Sequence, residues 1–207
     1  MPNLAVRIST IACPTEAEGP GKRWAIWFQG CSIRCPGCCN PHLFTKDGGI
    51  LRTTDSLKSE LDKAIIKHSI EGITLLGGEP TEQLEAATEL AEHAQLIGLT
   101  VLAFTGNKIE HLQEQPAAKR FLDKVDMLVD GPFDASKLET RRRWIGSTNQ
   151  RLHFLSDRIP RHDPRWDLSN TIEITVRHGQ VVINGFPLAG HRYPIGITEN
   201  SHGKNIP

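Results

Sequence analysis

The chain has 207 residues, of which 38% are apolar and 23% are charged, and its formal net charge at pH 7 is zero. This length and balance predict a globular protein with one main core, and the absence of net charge argues against a general nucleic-acid or membrane binder. No apolar run approaches the roughly 20 residues that span a bilayer. The N-terminal residues also lack the basic and apolar stretches of a secretory signal, so we expect a cytoplasmic protein in a reducing compartment.

The first third of the chain predicts two strands, a cysteine-rich loop and a helix. Residues 4–10 and 24–28 are rich in β-branched and aromatic residues, which is typical of strands. The cysteine-rich loop follows the second of these strands directly. Residues 55–69 carry apolar side chains at helical spacing, so we expect an amphipathic helix there, with Thr54 or Asp55 as its N-cap.

The middle of the chain alternates between apolar strands and helices. The strands are predicted at 73–78, 99–106 and 126–131, and the helices at 82–97, 108–114 and 117–124. Repetition of this kind builds a parallel sheet with helices packed outside it. A complete eight-fold barrel needs about 250 residues, so the sequence predicts an α/β fold with at most an incomplete barrel.

The C-terminal part of the sequence changes character. Residues 171–185 alternate between apolar and polar side chains around a His-Gly pair, which predicts a β-hairpin. Residues 186–207 are rich in Gly, Pro, His and Asn, and we expect them to be irregular. The sequence therefore divides into an expected partial-barrel domain at 1–157 and a C-terminal extension at 158–207.

Four of the five cysteines lie between residues 31 and 39. Cys31, Cys35 and Cys38 have the spacing C-x3-C-x2-C. Three thiolates on one tight loop can bind three irons of a [4Fe–4S] cluster and leave the fourth iron open, whereas an ordinary electron carrier supplies four cysteine ligands. Cys39 adjoins Cys38, and two adjacent residues cannot easily reach different corners of one cluster. Disulfides within the loop would close only very short rings and constrain little.

A zinc site and inert burial are both compatible with the spacing of the cysteine loop. A structural zinc site from Cys31, Cys35, Cys38 and His42 is chemically possible, although the sequence has no second cysteine pair. Alternatively, the cysteines are buried and inert. The isolated Cys13 is expected to be structural or incidental.

The stretch GGEP at 77–80 ends a predicted strand. Gly77 and Gly78 would let a ligand approach the backbone closely, and Glu79 could meet a cation such as an amino group. A simple turn before the next helix accounts for the same residues. Ligands of parallel α/β folds bind at the carboxyl ends of the strands, so the position of GGEP after the cysteine loop strengthens the functional interpretation.

Weaker candidates lie at the remaining strand ends. Asp130 could hold a cofactor or substrate, and a turn-capping role is equally compatible with its position. Thr105 and Asn107 lie at the end of a predicted strand and are also compatible with a turn. The basic run Arg141–Arg143 could meet an acidic partner or phosphate, or form a solvated surface.

The combination of motifs resembles the radical S-adenosylmethionine (radical SAM) superfamily, and within it the short activases of glycyl-radical enzymes. The stretches that carry this resemblance are EGPGKR (18–23), GCSIRCPGCCNP (30–41), LLGGEP (75–80), and LVDGPFD with WIGSTNQR (128–134 and 144–151). It covers about residues 5 to 155 and implies an incomplete β/α barrel of radical SAM type, here followed by a C-terminal β-hairpin extension.

The resemblance also implies a cofactor site. Cys31, Cys35 and Cys38 would ligate a [4Fe–4S] cluster, whose open iron would bind the methionine part of S-adenosylmethionine. The residues expected at the cofactor are Gly37, Cys38, Cys39, Gly77, Gly78, Glu79 and Asp130. One-electron reduction would cleave the cofactor to methionine and a 5′-deoxyadenosyl radical, which abstracts a hydrogen atom. The family usually has an aromatic residue where this chain has Cys39.

The activases take that hydrogen atom from a glycine of a partner protein. The resemblance therefore implies a glycyl-radical enzyme of the anaerobic ribonucleotide reductase type as protein substrate, and a flavodoxin- or ferredoxin-type electron donor. A second hypothesis, motivated by the long C-terminal tail, is a radical SAM enzyme that acts on a small molecule or peptide. A third is a non-catalytic iron–sulfur or zinc module. The chain has no second cysteine cluster, so auxiliary clusters are not expected.

Overall fold

The structure is a computed structural model that describes residues 3–177 and 180–185. In these residues the chain forms a mixed α/β fold with one seven-stranded sheet and a separate two-stranded hairpin. The strands are β1 (Ala5–Thr15), β2 (Arg23–Phe28), β3 (Ile50–Thr53), β4 (Gly72–Gly77), β5 (Thr100–Phe104), β6 (Met127–Asp130), β7 (Arg151–Phe154), β8 (Ile172–Arg177) and β9 (Gln180–Gly185). The α-helices are α1 (Thr54–His68), α2 (Leu84–Leu96), α3 (Ile109–Gln113) and α4 (Pro116–Leu122).

The strand order in the large sheet is β3-β1-β2-β4-β5-β6-β7. Strands β2, β4, β5 and β6 are parallel to one another, while β1 and β7 pair antiparallel with β2 and β6. The four parallel strands therefore end at one edge of the sheet. The cysteine loop, the GGEP turn and the segments after β5 and β6 all begin at that edge.

The predicted strands and helices of the middle of the chain are present, but the sequence analysis missed β3 and β7. Both strands have only four residues. Strand β3 pairs with β1 as the first strand in the order of the sheet, and β7 pairs with β6 as the last. A four-residue strand has little periodicity of its own, so its formation depends on the partner strand rather than on a local pattern.

Helix α1 begins one residue earlier than its predicted caps imply. The N-cap is Thr53, whose hydroxyl accepts the Ser56 N–H at 3.3 Å, while the Ser56 hydroxyl accepts the Thr53 N–H at 3.4 Å. This reciprocal pair is a capping box. Thr54 is buried in the first turn instead of capping it, so the assignment of Thr54 or Asp55 as the cap was wrong.

The main core lies between the sheet and its helices. Leu57 and Leu61 of α1 and Leu90 of α2 are fully buried against sheet residues that include Trp24 and Ile73. Burial of one such aliphatic side chain contributes about 1.5–3 kcal/mol. A smaller apolar cluster lies around Leu102, Met127, Val129, Ile145 and Ile159. The sheet is thus held as a rigid platform for the segments at its edge.

Strands β8 and β9 pair antiparallel from Ile172 with Gly185 to Arg177 with Gln180, as the sequence predicted for a hairpin. The His-Gly pair at 178–179 and the tail at 186–207 lie outside the described residues, so the prediction of an irregular tail stays a prediction. The hairpin contacts the end of β1 and the segment that follows it: Asn184 Nδ2 donates to Thr15 Oγ1 at 2.8 Å, and the Gly185 N–H donates to Glu18 at 2.7 Å. None of the helices in the described residues is long and apolar enough to cross a membrane.

Candidate functional site

The cysteine loop leaves β2 and is fixed by main-chain hydrogen bonds. The Gly30 N–H donates to the Leu43 carbonyl at 2.9 Å, and the Cys31 N–H donates to the Phe44 carbonyl at 3.3 Å. Within the loop the Cys38 N–H donates to the Cys35 carbonyl at 3.1 Å. These bonds fold the loop back on itself, so that its three motif cysteines belong to one compact turn.

None of the four thiols of the loop forms a disulfide, and they differ in exposure. Cys31 is buried, Cys35 and Cys38 are half-buried, and Cys39 is exposed. Burial raises the pKa of Cys31 and Cys35, although backbone N–H groups that hydrogen-bond to the two sulfurs act in the opposite direction. The Cys39 thiol donates a hydrogen bond to Cys38, which lowers the pKa of Cys38 to about 6 and raises the pKa of Cys39.

The GGEP turn lies directly against the start of the cysteine loop. The Gly78 N–H donates to the Phe28 carbonyl and the Glu79 N–H to the Gly30 carbonyl, both at 2.8 Å. A Cβ atom on Gly78 would lie 2.2 Å from the Gly30 carbonyl oxygen. Only glycine allows this approach, so the backbone of the turn reaches within one residue of Cys31.

The Glu79 carboxylate connects the turns after β4 and β5. The side chain is 1% exposed, and its Oε1 accepts the Thr81 N–H at 3.0 Å and the Thr105 hydroxyl at 2.9 Å. Its Oε2 accepts the Gly106 N–H at 2.9 Å. Burial raises the pKa of Glu79, although these hydrogen bonds act against the increase. The carboxylate therefore has partners within the protein, and its expected role as acceptor of a ligand amine stays a prediction.

The segments after β5 and β6 also contact the cysteine loop. A Cβ atom on Gly106 would lie 2.6 Å from the Ile33 side chain, and one on Gly37 would lie 2.6 Å from the Ala135 side chain. The backbone of Phe133, in the segment after β6, hydrogen-bonds to Cys35. The structure thus brings the segments FTGN (104–107) and DGPF (130–133) together with the cysteines and GGEP.

Asp130 is fully buried in an ion-pair network at the end of β6. Its carboxylate accepts hydrogen bonds from the Ile109 N–H at 2.7 Å and from Arg151 Nε at 2.9 Å, and His153 Nε2 lies 3.1 Å away. Burial alone would raise the pKa of Asp130, but the hydrogen bonds, first of all that from Arg151, lower it. Arg151 also pairs with Glu110 at 2.7 Å. Asp130 thus joins α3 to β7, and its expected cofactor contact stays a prediction.

The residues of the cysteine loop fit a cubane cluster chemically. Three free thiols lie on one loop, and main-chain N–H groups hydrogen-bond to the sulfurs, which is a common way in which proteins tune iron–sulfur clusters. In the described part of the chain no three His, Cys, Asp or Glu side chains are arranged to hold a single metal ion. A cubane distributes its cysteine ligands over separate irons, so it does not need the sulfurs to meet at one point.

Comparison with known proteins defines the class of the chain. A family model described as a 4Fe-4S single cluster domain matches residues 17–153. The chain therefore belongs to the 4Fe-4S single cluster domain family, within the radical SAM type of enzyme that its motifs resemble. This membership replaces the zinc alternative with an iron–sulfur cluster.

The named relatives are anaerobic ribonucleoside-triphosphate reductase-activating proteins. The protein from Enterobacteria phage T4 is 32% identical over 150 residues, which are 70% of this chain and 92% of the relative. Those from Salmonella typhimurium and Escherichia coli K12 are 31% identical over 145 residues, 67% of this chain and 92% of each relative. A crystal structure of QueE from Escherichia coli aligns over 50% of this chain and 53% of its own, with 17% identity and a TM-score of 0.41, which is too remote a likeness for any argument.

Sequence reasoning placed the motifs at the correct edge but missed several residues that assemble them. Thr81 is bonded to Glu79, and Arg151 is bonded to Asp130. The partner of Thr81 is two residues away in the same turn, whereas Arg151 meets Asp130 from another segment of the chain, so no local pattern marks Arg151. The only available signal was position, since both lie within or beside the stretches that carry the family resemblance.

Proposed function

We propose that this protein is a [4Fe–4S]- and S-adenosylmethionine-dependent radical enzyme that installs a glycyl radical on an anaerobic ribonucleotide reductase. The observation that carries the proposal is the assembly of the cysteine loop with GGEP and with the segments after β5 and β6. The family membership and the names of the relatives support the same reaction and the same protein substrate.

The residues of this chain would divide the work between ligation and positioning. Cys31, Cys35 and Cys38 would hold the cluster, and Gly77 and Gly78 would keep the adjacent backbone open to the methionine part of the cofactor. The cluster and S-adenosylmethionine supply, when bound, the reductive cleavage that gives a 5′-deoxyadenosyl radical. The protein would position the cofactor and keep competing reactions away from it.

Four further residues would complete the cofactor site, either by contact with the cofactor or by holding neighbouring turns in place. Gly37 and Cys39 flank the last ligand and would lie against the cofactor. Glu79, through its bonds to Thr105 and Gly106, would hold the second turn in place, whether or not its carboxylate also meets the amine. Asp130, at the end of β6, would contact the cofactor.

The proposal also includes the type of fold, the division into domains, the cellular location and the electron donor. The four adjacent parallel strands support an incomplete β/α barrel of radical SAM type at 1–157, with the hairpin in an extension at 158–207. The cytoplasmic location and the flavodoxin- or ferredoxin-type electron donor are predictions from the sequence, and biochemical fractionation and reduction assays would test them.

The decisive experiment is anaerobic. The protein is reconstituted with iron and sulfide, reduced, and mixed with S-adenosylmethionine and an anaerobic ribonucleotide reductase. We expect 5′-deoxyadenosine by liquid chromatography and a glycyl-radical signal on the reductase by electron paramagnetic resonance. Cys31→Ala, Cys35→Ala and Cys38→Ala should each reduce both signals at least 100-fold.

Cys13→Ala is the matched control, because it removes a cysteine that lies outside the loop and is not a proposed ligand. It should retain the cluster and cofactor cleavage. A parent protein that holds its cluster but never cleaves the cofactor would contradict the radical mechanism. Cleavage without a radical on the reductase would instead contradict the protein substrate.

A further inference from the structure

A second candidate site lies at the end of the sheet opposite the cysteine loop. It is a cleft of about 370 Å³ between the end of β1, the segment before β7 and the hairpin, and it is lined by Glu16, Lys22, Arg143, Thr171 and Glu173 among others. The six residues of β2 separate it from the cysteine loop, a distance on the order of 20 Å at about 3.3 Å per residue. The cleft is therefore distinct from the proposed cluster site.

The main feature of the cleft is a buried arginine with incomplete pairing. Arg143 is 7% exposed, and its Nε has no hydrogen-bond partner in the described residues. Its guanidinium lies 4.4 Å from the centre of the Trp144 ring, and one Nη donates to Thr171 Oγ1 at 3.3 Å. An unpaired buried donor costs about 1–3 kcal/mol, and such a group in a native structure calls for an explanation, such as a bound water, an ion or a functional role of the side chain.

The backbone beside this arginine is strained. Trp144 has a φ of 63°, in the left-handed region that bulky residues avoid at a cost of roughly 1–2 kcal/mol. Three contacts hold it there: its N–H donates to Asn170 at 2.6 Å, its Nε1 donates to the Glu16 carbonyl at 3.1 Å, and its ring meets Trp166 edge-on at 5.0 Å. Local strain that the surroundings enforce is concentrated at functional sites.

The charges around the cleft balance each other. Lys22 and Arg143 are cationic, and Glu16 and Glu173 are anionic. Glu173 already accepts hydrogen bonds from the Glu16 N–H at 2.8 Å and from Asn184 at 3.2 Å. Glu16 is exposed, and the described residues contain no ion pair between Glu16 and Arg143, although the two line the same space. A multiply charged anion would be repelled by the two carboxylates of this cleft. A ligand with one positive and one negative charge could instead pair with a cationic and an anionic residue of the lining.

We propose that this cleft binds a small zwitterion of the α-amino-acid type, with its carboxylate on Arg143 and its ammonium group facing Glu16. The volume falls within the range of small-molecule pockets and leaves room for a side chain. Thr171 and Glu173 lie beyond residues 17–153, which the family model matches. The site is therefore built partly from the C-terminal hairpin, and it does not depend on the proposed radical chemistry.

Calorimetric titration of the full-length, cluster-loaded protein tests the proposal. The probes are L-leucine, L-glutamate and L-lysine as zwitterions, with acetate and inorganic phosphate as simple anions. At least one amino acid should bind tenfold or more tightly than either anion. Arg143→Gln should weaken that binding at least tenfold, and Arg141→Gln, an exposed arginine two positions away, should leave it unchanged.

Because Arg143 is buried, its replacement can disturb the fold, so Glu16→Gln provides an independent variant on the exposed wall. It should weaken amino-acid binding at least fivefold without changing acetate binding. The proposal is overturned if none of the three amino acids binds the parent, or if Arg143→Gln and Glu16→Gln bind as the parent does, which would place the ligand elsewhere. The proposal is also overturned if phosphate binds more tightly than every amino acid, because the cleft would then be a site for anions.

Discussion

Gly78 shows how one residue determines the distance between two motifs of the site. Its backbone passes so close to Gly30 that an added Cβ would lie 2.2 Å from the Gly30 carbonyl oxygen. Gly98, by contrast, has no atom within 4 Å of an added Cβ, although its φ of +88° disfavours side chains. At Gly78 a side chain is excluded because it would clash with the backbone of the site. At Gly98 a side chain is disfavoured only by the backbone conformation.

We predict that Gly78→Ala displaces the GGEP turn from the cysteine loop, because a clash with backbone cannot be relieved by a side-chain rotation. 5′-Deoxyadenosine formation should fall at least tenfold. Gly98→Ala should lower the free energy of unfolding by about 1 kcal/mol and leave cleavage per folded molecule unchanged. Equal activity of the two variants would contradict this role of Gly78.

Glu79 is the second position at which a single atom matters. In Glu79→Gln, one carboxylate oxygen becomes an NH₂ group that would face a donor, either the Gly106 N–H or the donors from Thr81 and Thr105. A buried donor left without an acceptor costs about 1–3 kcal/mol, so chemical denaturation should show a loss of that size. Glu85→Gln, at a surface position nearby, should change stability by less than about 0.5 kcal/mol; similar losses in both variants would refute the prediction.

At the scale of elements, the hairpin is attached to the segment after β1 through a carboxyl group that titrates unusually. Burial raises the pKa of Glu18 to about 8, and Glu173 adds to the increase while the Gly185 N–H opposes it. In the unfolded chain the same carboxyl loses its proton near the ordinary value of 4.5. Between these two values the unfolded state binds fewer protons than the folded state, so this group makes stability fall as pH rises.

Glu18→Gln should remove that pH dependence. The difference in unfolding free energy between variant and parent should grow in favour of the variant from about pH 4.5 to about pH 8, and stay constant above. The slope can reach at most about 1.4 kcal/mol per pH unit for one proton. Denaturation curves at several pH values measure it, and a difference that does not vary with pH would contradict the assignment.

At the scale of the whole molecule, Arg23 joins the amino ends of three parallel strands. It is fully buried, and its guanidinium donates to Thr74 Oγ1 at 2.6 Å, to the Pro20 carbonyl at 3.0 Å and to the Thr100 carbonyl at 3.1 Å. It also donates to the Ile73 carbonyl. Lysine has a single ammonium group and cannot span these acceptors.

Arg23→Lys should therefore lower the free energy of unfolding by at least about 3 kcal/mol, since several buried acceptors lose their donors. Because Arg23 lies at the end of the sheet opposite the cysteine loop, cofactor cleavage per folded molecule should remain near that of the parent. The control is Arg120→Lys, at a residue that pairs with Glu92 from the surface and should cost little. Loss of activity without loss of stability would contradict this separation of the two ends.

Local patterns were sufficient to predict the framework of the fold. The apolar strands of the middle of the chain, the helices between them and the C-terminal hairpin strands all follow from periodicity and turn residues. The short edge strands β3 and β7 did not, because their four residues become strands only through pairing with β1 and β6. The start of α1 was missed by one residue because Thr53, Thr54 and Asp55 are all chemically able to cap.

The site was predictable in its motifs but not in its internal contacts. The cysteine spacing and the GGEP turn are local and were recognisable, and their common edge follows from parallel pairing. The bonds of Glu79 reach Thr105 and Gly106 in the next turn, so they depend on the register of β4 and β5. Arg143 departs furthest from expectation, since the basic run suggested a solvated surface and the structure buries its last member.

The anchoring of the cysteine loop has a consequence for how the enzyme matures. The bonds from Gly30 to Leu43, from Cys31 to Phe44 and from Cys38 to Cys35 join main-chain groups only, so they form as the polypeptide folds. We therefore expect that iron and sulfide can be added to the folded chain, whose motif thiols share one turn. A molecule damaged by oxygen would need a fresh supply of these inorganic components and a reductant, rather than refolding or replacement of the chain.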